Sequence, residues 1–273
     1  MFLLSGFLGG RYHVRMRWLF APILLVAACA SAKVQGGNNE IDANNNNGDD
    51  ANTGVDTAPP VDDPPPPIDA PPDMPPPPPT IVTMQQTGAT NVVATAIGCQ
   101  QTNPLTNFTT ENSYYRTFPL ADFSITKPFA ISKVNFAVER ASAGNGVSQP
   151  AQVRIGNYAG ALNATTFQVT ALQPLASATI NIPQNATSVE VPIGQFTPNT
   201  LTVQPGTILY AEVFIPDGRP AGNIFYIGSN AGSETHPSYI RASDCSVASP
   251  TAYASAVGAS PVIRLLITVT GSF

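Results

Sequence analysis

Charge is scarce in this chain. Of its 273 residues only 11% are charged, 12 basic and 17 acidic. No basic stripe is present to displace counterions from a phosphate backbone, which excludes nucleic acid as a partner. Histidine is nearly missing: beyond His13 near the start, His236 stands alone. With three cysteines and no Cys-x-x-Cys pair, a zinc site lacks ligands. A serine nucleophile has no Gly-x-Ser-x-Gly elbow to sit on, and no Asp-x-Asp-x-Asp run marks a calcium loop. The sole tryptophan, Trp18, lies far from the body of the chain. No apolar run reaches the roughly 20 residues that a membrane-spanning helix needs.

What is present begins at the N-terminus. Arg11, Arg15 and Arg17 precede an apolar run, Trp18 to Ala28, that ends in Val26-Ala27-Ala28-Cys29. Basic flank, short apolar core and small residues before a cut are the parts of an export signal. The last four residues resemble the lipobox of bacterial lipoproteins. That resemblance implies that residues 1–28 are removed, that Cys29 is lipidated, and that two or three acyl chains hold the protein stably on a membrane. Ala30, where the family places Asp for inner-membrane retention, implies sorting to the outer membrane or cell surface. The competing reading is an ordinary secretory signal cut near Ala30-Ser31-Ala32, which discards Cys29. Translation from Met1 or from Met16 leaves the rest unchanged.

Residues 29–80 have the composition of a disordered stalk. Asn44 to Asn47 leads into Gly48-Asp49-Asp50, and proline runs follow at 59–60, 64–67, 71–72 and 75–79. Such a segment has too little apolar surface to offset the entropy of ordering. Polyproline II at about 3.1 Å per residue would carry Pro59 to Pro79 over roughly 65 Å. The stalk holds nine acids against Lys33, a net charge of −8, whereas residues 81–273 hold eight acids and eight bases. The acidity therefore belongs to the tether and not to a binding surface. A proline-rich ligand for SH3-like domains is the other reading of these runs.

Residues 81–273 read as one all-β domain, and the last strand runs almost to the final residue, with no further domain expected. Val134, Phe136 and Val138 alternate with polar or small residues, as do Ala176 to Ile182 and Val189 to Ile193. Ile208 to Ile215 and Val262 to Val269 are more apolar and read as central strands. Turn signals separate them: Gly144-Asn145-Gly146, Gln204-Pro205-Gly206, Pro216-Asp217-Gly218 and Ala221-Gly222-Asn223. About ten strands and no amphipathic helix predict an antiparallel β-sandwich, jelly-roll-like; a barrel would need a similar strand count. The segments Asn112 to Phe118, Val213 to Gly218 and Pro237 to Cys245 resemble uncharacterised β-sandwich modules of secreted proteins from myxobacteria and planctomycetes. Those modules accompany anchors or enzymes and imply an architecture without assigned catalytic residues.

If Cys29 carries lipid, Cys99 and Cys245 are left to pair in an oxidising compartment. The bridge would close most of the domain, and the loop-entropy model values such a closure at roughly 5 kcal/mol. Two unrelated buried thiols are the alternative.

Candidate chemistry is thin. His236, in a loop entering a strand, reads as a surface histidine. Glu212 interrupts the apolar strand Leu209 to Phe214, on the face of Tyr210 and Phe214, and is expected to pair with Arg241 or Arg116; a second acid beside it would make a hydrolase-type dyad. Glu111, Asp217 and Asp244 are candidate ligands for a structural calcium, the one cofactor considered, although Asp217 before Gly218 is equally good turn chemistry. Tyr114, Tyr115 and Tyr239 are candidate ligand-binding aromatics, because carbohydrate-binding modules of this architecture use exposed aromatic platforms. Packing is the competing role for each. Three Asn-x-Thr sequons, at Asn107, Asn163 and Asn185, read as chance. The expected function is therefore a lipid-anchored, non-catalytic β-sandwich that binds or adheres at the cell envelope, with a glycan or an envelope protein as partner. The alternative is a structural or assembly accessory without a small ligand; a hydrolase is the least favoured.

Overall fold

The computed structural model describes residues 75–273 apart from 95, 97, 104, 105 and 258–262. The predicted signal peptide, Cys29 and the stalk as far as residue 74 lie outside the described residues. In chain order the strands are β1 (Ile81–Gln85), β2 (Gln100–Asn103), β3 (Thr106–Thr109), β4 (Asn112–Pro119) and β5 (Phe129–Ser142). Next come β6 (Ser148–Tyr158), β7 (Leu172–Pro183), β8 (Ser188–Pro192), β9 (Thr202–Val203) and β10 (Ile208–Ile215). The remainder are β11 (Ile224–Ile227), β12 (Ser229–Asn230), β13 (Tyr239–Ala242), β14 (Val247–Ala252), β15 (Arg264–Leu265) and β16 (Ile267–Ser272).

Two six-stranded antiparallel sheets form a sandwich. The first runs β1-β16-β5-β11, with β8 and β9 also paired to the long β5; the second runs β14-β13-β4-β10-β6-β7. The chain alternates between them, β4 in the second, β5 in the first, β6 and β7 in the second, β8 in the first, in jelly-roll fashion. The pairs β2–β3 and β12–β15 are short additions. These additions raise the strand count among the described residues to sixteen, against about ten expected. The only α-helix among those residues is the five-residue Tyr253–Val257.

The alternation of the sequence becomes the division between core and outer face. On β10, Leu209, Ala211 and Val213 are fully buried between the sheets. They meet Val134, Phe136 and Val138 of β5 and Ile267 and Val269 of β16 in one core. On β5 a strict period of two would turn Ile131 away from the face of Val134. The pairing moves from Thr270↔Lys133 to Gly271↔Ile131, so Ser132 is an extra residue that restores the parity. Glu139 does the same between Val138 and Ala141, opposite the shift at Tyr226/Ile227. One strand of fourteen residues can thus keep a single apolar face.

The apolar run expected over Val262 to Val269 is interrupted at Leu266, between β15 and β16. Its N–H donates to Gly228 O (3.0 Å) and its carbonyl accepts from Ala137 N–H (2.9 Å), as the chain moves from β12 to the edge of β5. The Gly144-Asn145-Gly146 turn forms as its chemistry requires. Gly146 has φ 72°, and Asn145 Oδ1 accepts from the N–H groups of Val147 (2.8 Å) and Ser148 (3.1 Å).

Cys99 and Cys245 are joined in a disulfide with a Cα–Cα distance of 5.7 Å and a sequence separation of 146. Fully buried Asn112 fixes the first of these cysteines. Its Oδ1 accepts from Cys99 N–H at 2.9 Å, while its Nδ2 donates to Thr110 O at 2.8 Å and Cys99 O at 3.3 Å.

Candidate binding groove

The outer face of the second sheet carries the polar halves of its strands. Antiparallel register places Glu212 of β10 opposite Arg154 of β6 on one side and Tyr115 of β4 on the other; Tyr115 in turn faces Tyr239 of β13. Directly opposed side chains lie about 5 Å apart, so these four residues form one row across the sheet. Arg154 Nη1 donates to both oxygens of Glu212, at 2.9 and 3.0 Å, and Nη2 donates to Gln152 Oε1. Its guanidinium also lies 4.9 Å from the centroid of Phe214. The Glu212 side chain is 5% exposed and that of Arg154 31%. The pair is therefore half sunk in the protein, with the charge open to water on the arginine side.

One row along, Tyr210 of β10 opposes Gly156 of β6. Burial, and then the Glu212 carboxylate, push the Tyr210 hydroxyl up from 10.0 to about 12. The same two causes raise the Tyr115 hydroxyl further.

A segment between β6 and β7, residues 159–171, folds back over this face as a flap. Phe167 is its plug, stacked on Tyr158 (4.1 Å between centroids) and against Tyr239 (4.9 Å) and Tyr115 (5.5 Å). Backbone bonds hold the plug to β14: Phe167 N–H donates to Pro250 O and Ala252 N–H to Thr165 O, both 2.7 Å. His236 stands at the foot of the flap, with Nδ1 2.9 Å from Asn163 Oδ1 and Nε2 2.8 Å from Asp122 Oδ2. It is a partly buried strut, not the surface histidine expected.

Between flap and sheet lies a groove of about 510 Å³, lined by Tyr115, Arg154, Val169, Leu172, Pro174, Tyr210, Glu212, Arg241 and Ala248. It combines an apolar wall with convergent polar groups, the usual make-up of a ligand site. No second carboxylate lines it, so Glu212 has no dyad partner here. The expected partners of Glu212 are also corrected. Arg116 turns to the opposite face and pairs with Glu234, donating also to Ser238 Oγ (2.7 Å). Arg241 does line the groove, but pairs with Glu111 at 2.9 Å. Arg154, absent from the sequence-based candidates, takes the role; the alternation Val153-Arg154-Ile155 was the signal for it.

The three candidate tyrosines do not form an exposed platform. Tyr114 is fully buried in the main core against Phe225, and Tyr115 and Tyr239 face outward but lie under Phe167, 4% and 1% exposed. Tyr115 alone of the three reaches the groove. Of the candidate calcium ligands, Asp217 and Asp244 are brought together, but around the Arg219 guanidinium, at 3.3 and 3.1 Å. Glu111 is held by Arg241 instead. Asp217 Oδ1 also accepts from Arg219 N–H at 2.9 Å, which is turn chemistry. Among the described residues no three or more His, Cys, Asp or Glu side chains gather as metal ligands would.

No protein-family model and no curated protein matches the chain. Among solved structures it is similar to the cysteine protease and lectin-like domains of Cwp84, a surface layer associated protein of Clostridium difficile. The identity is 12% and the TM-score 0.41, over 61% of this chain and 33% of that one, so this chain spans about a third of that structure's length.

Proposed function

We propose that this chain is a lipid-anchored protein of the cell envelope whose β-sandwich is a non-catalytic binding module, with the groove beneath the flap as its contact site. The observation that carries the reading is the cross-strand set Arg154–Glu212–Tyr115 beside Tyr210 and Arg241. Donors and ring faces converge there on open space, with no second acid to make a hydrolytic pair. A saccharide chain suits such a groove, since ring faces pack on Leu172 and Pro174 while hydroxyls meet the tyrosine and arginine donors. Cys29, modified as the lipobox implies, would hold the module at the membrane, and the acidic proline-rich stalk would lift it clear.

The test is a glycan and extracellular-polymer array probed with the purified full-length protein, with and without calcium. A saturable hit weakened by Tyr210→Ala is expected. A blank under both conditions overturns the reading and leaves a structural or assembly accessory. The anchor is tested separately by labelling cells with a lipid precursor, which should mark the wild type and not Cys29→Ala.

A further inference from the structure

The groove's hydrogen-bonding capacity is one-sided. Its lining contains no Asn, Asp, Gln, Ser, Thr or His side chain. Its one carboxylate, Glu212, has both oxygens engaged by Arg154. What faces an incoming molecule is therefore donors: the guanidinium of Arg241 and the charged side of Arg154, each side chain 31% exposed, with Tyr210 nearly buried beside them. Arg241 is anchored through one nitrogen by Glu111, which lies outside the lining, so the lining itself holds two cations and one anion.

A ligand for this surface must bring acceptors. A neutral sugar that relies on donating its hydroxyl protons finds no free carboxylate or amide to receive them. A peptide backbone fares worse, because half of its polar groups are N–H donors and no side-chain acceptor of the lining is free to meet them. Carboxylates on pyranose rings meet both demands, since the acid accepts from guanidinium and the ring face packs on Leu172 and Pro174. Arg154 and Arg241 stand on β6 and β13, three strand steps apart and offset by two residues along the strands, so roughly 16 Å separates their backbones before the side chains reach inward. That spacing suits two acidic groups on one oligomer better than a single small anion.

We infer that the groove takes an acidic saccharide, a chain bearing uronate carboxylates. This rests on the groove being a binding site at all, and the experiment separates the two. Purified full-length protein is titrated with oligomers of galacturonate, glucuronate and mannuronate, with their methyl esters, with matched neutral oligosaccharides, and with polyglutamate. At least one uronate oligomer should bind saturably, lose at least tenfold in affinity on esterification, and weaken as salt is added. Arg241→Gln should cost a further tenfold on the acid and little on the ester. Esters or neutral oligomers that bind as well as the acids overturn the acidic assignment while leaving the binding module intact. Tighter binding of polyglutamate overturns the saccharide in favour of an acidic peptide. If no sugar of either kind binds, here or on the array, the binding module itself fails.

Discussion

Tyr210 lies across Gly156. A methyl group placed on Gly156 would come 2.5 Å from Tyr210 Cε1 and closer still to Gln173 O, so the glycine is what leaves room for the ring against β6. The floor of the groove is set by a missing side chain. Gly156→Ala should cost about 1–3 kcal/mol, the usual penalty for overpacking, and should tilt Tyr210 out of place. Urea unfolding checks the first effect and ligand titration the second; an unchanged midpoint would mean that the strand relaxes freely.

Glu212→Gln removes the charge that orients Arg154 and keeps the shape. With the carboxylate nearly buried and the arginine one-third exposed, the loss should be about 1–3 kcal/mol, below the cost of breaking a fully buried pair. Arg154→Met leaves the nearly buried Glu212 carboxylate without its cation and should cost more than Glu212→Gln. The double-mutant cycle across Arg154 and Glu212 measures the coupling directly.

Alkaline pH should unfold the domain through its tyrosines. Burial pushes the hydroxyls of Tyr210 and Tyr239 from 10.0 to about 12, with Glu212 and Tyr158 the next causes respectively. A folded value above the unfolded one means the neutral phenol stabilises the fold. That contribution is complete below pH 10 and is lost as pH rises toward 12. Denaturant midpoints should therefore hold steady to about pH 10 and then fall, with part of the tyrosinate absorbance appearing only with unfolding. Tyr210 and Tyr239 titrating near 10 on a folded domain would contradict this.

Cys99→Ser should lower stability by roughly 2–5 kcal/mol, the range for loss of a native disulfide. Intact mass under non-reducing conditions should show no free thiol at Cys99 or Cys245, and thermal melts with and without reductant give the size of the effect.

Much of this architecture was legible in the residue order, and its limits have physical causes. Ile208 to Ile215 coincides with β10, and the split of Leu209, Ala211 and Val213 from Tyr210, Glu212 and Phe214 followed from a period of two. The partner of Glu212 did not follow, because it depends on the register between β10 and a strand 58 residues away. Nor did the bulges at Ser132 and Glu139, which only pairing reveals. Adjacency told that one of Tyr114 and Tyr115 faces outward. It could not tell that Phe167, in a stretch with no periodicity, covers that outward face.

The bridge between Cys99 and Cys245 makes most of the domain a closed covalent ring. A protease that cuts one exposed loop inside that ring, the flap included, opens it into a branched but continuous molecule. No fragment can diffuse away, and the residues on both sides of the cut stay tied to whatever holds the N-terminus. A nicked copy would run as one species without reductant and as two with it. Separating the two pieces of a domain cut inside the ring therefore requires two events, proteolysis and reduction, where a domain without the bridge would need one.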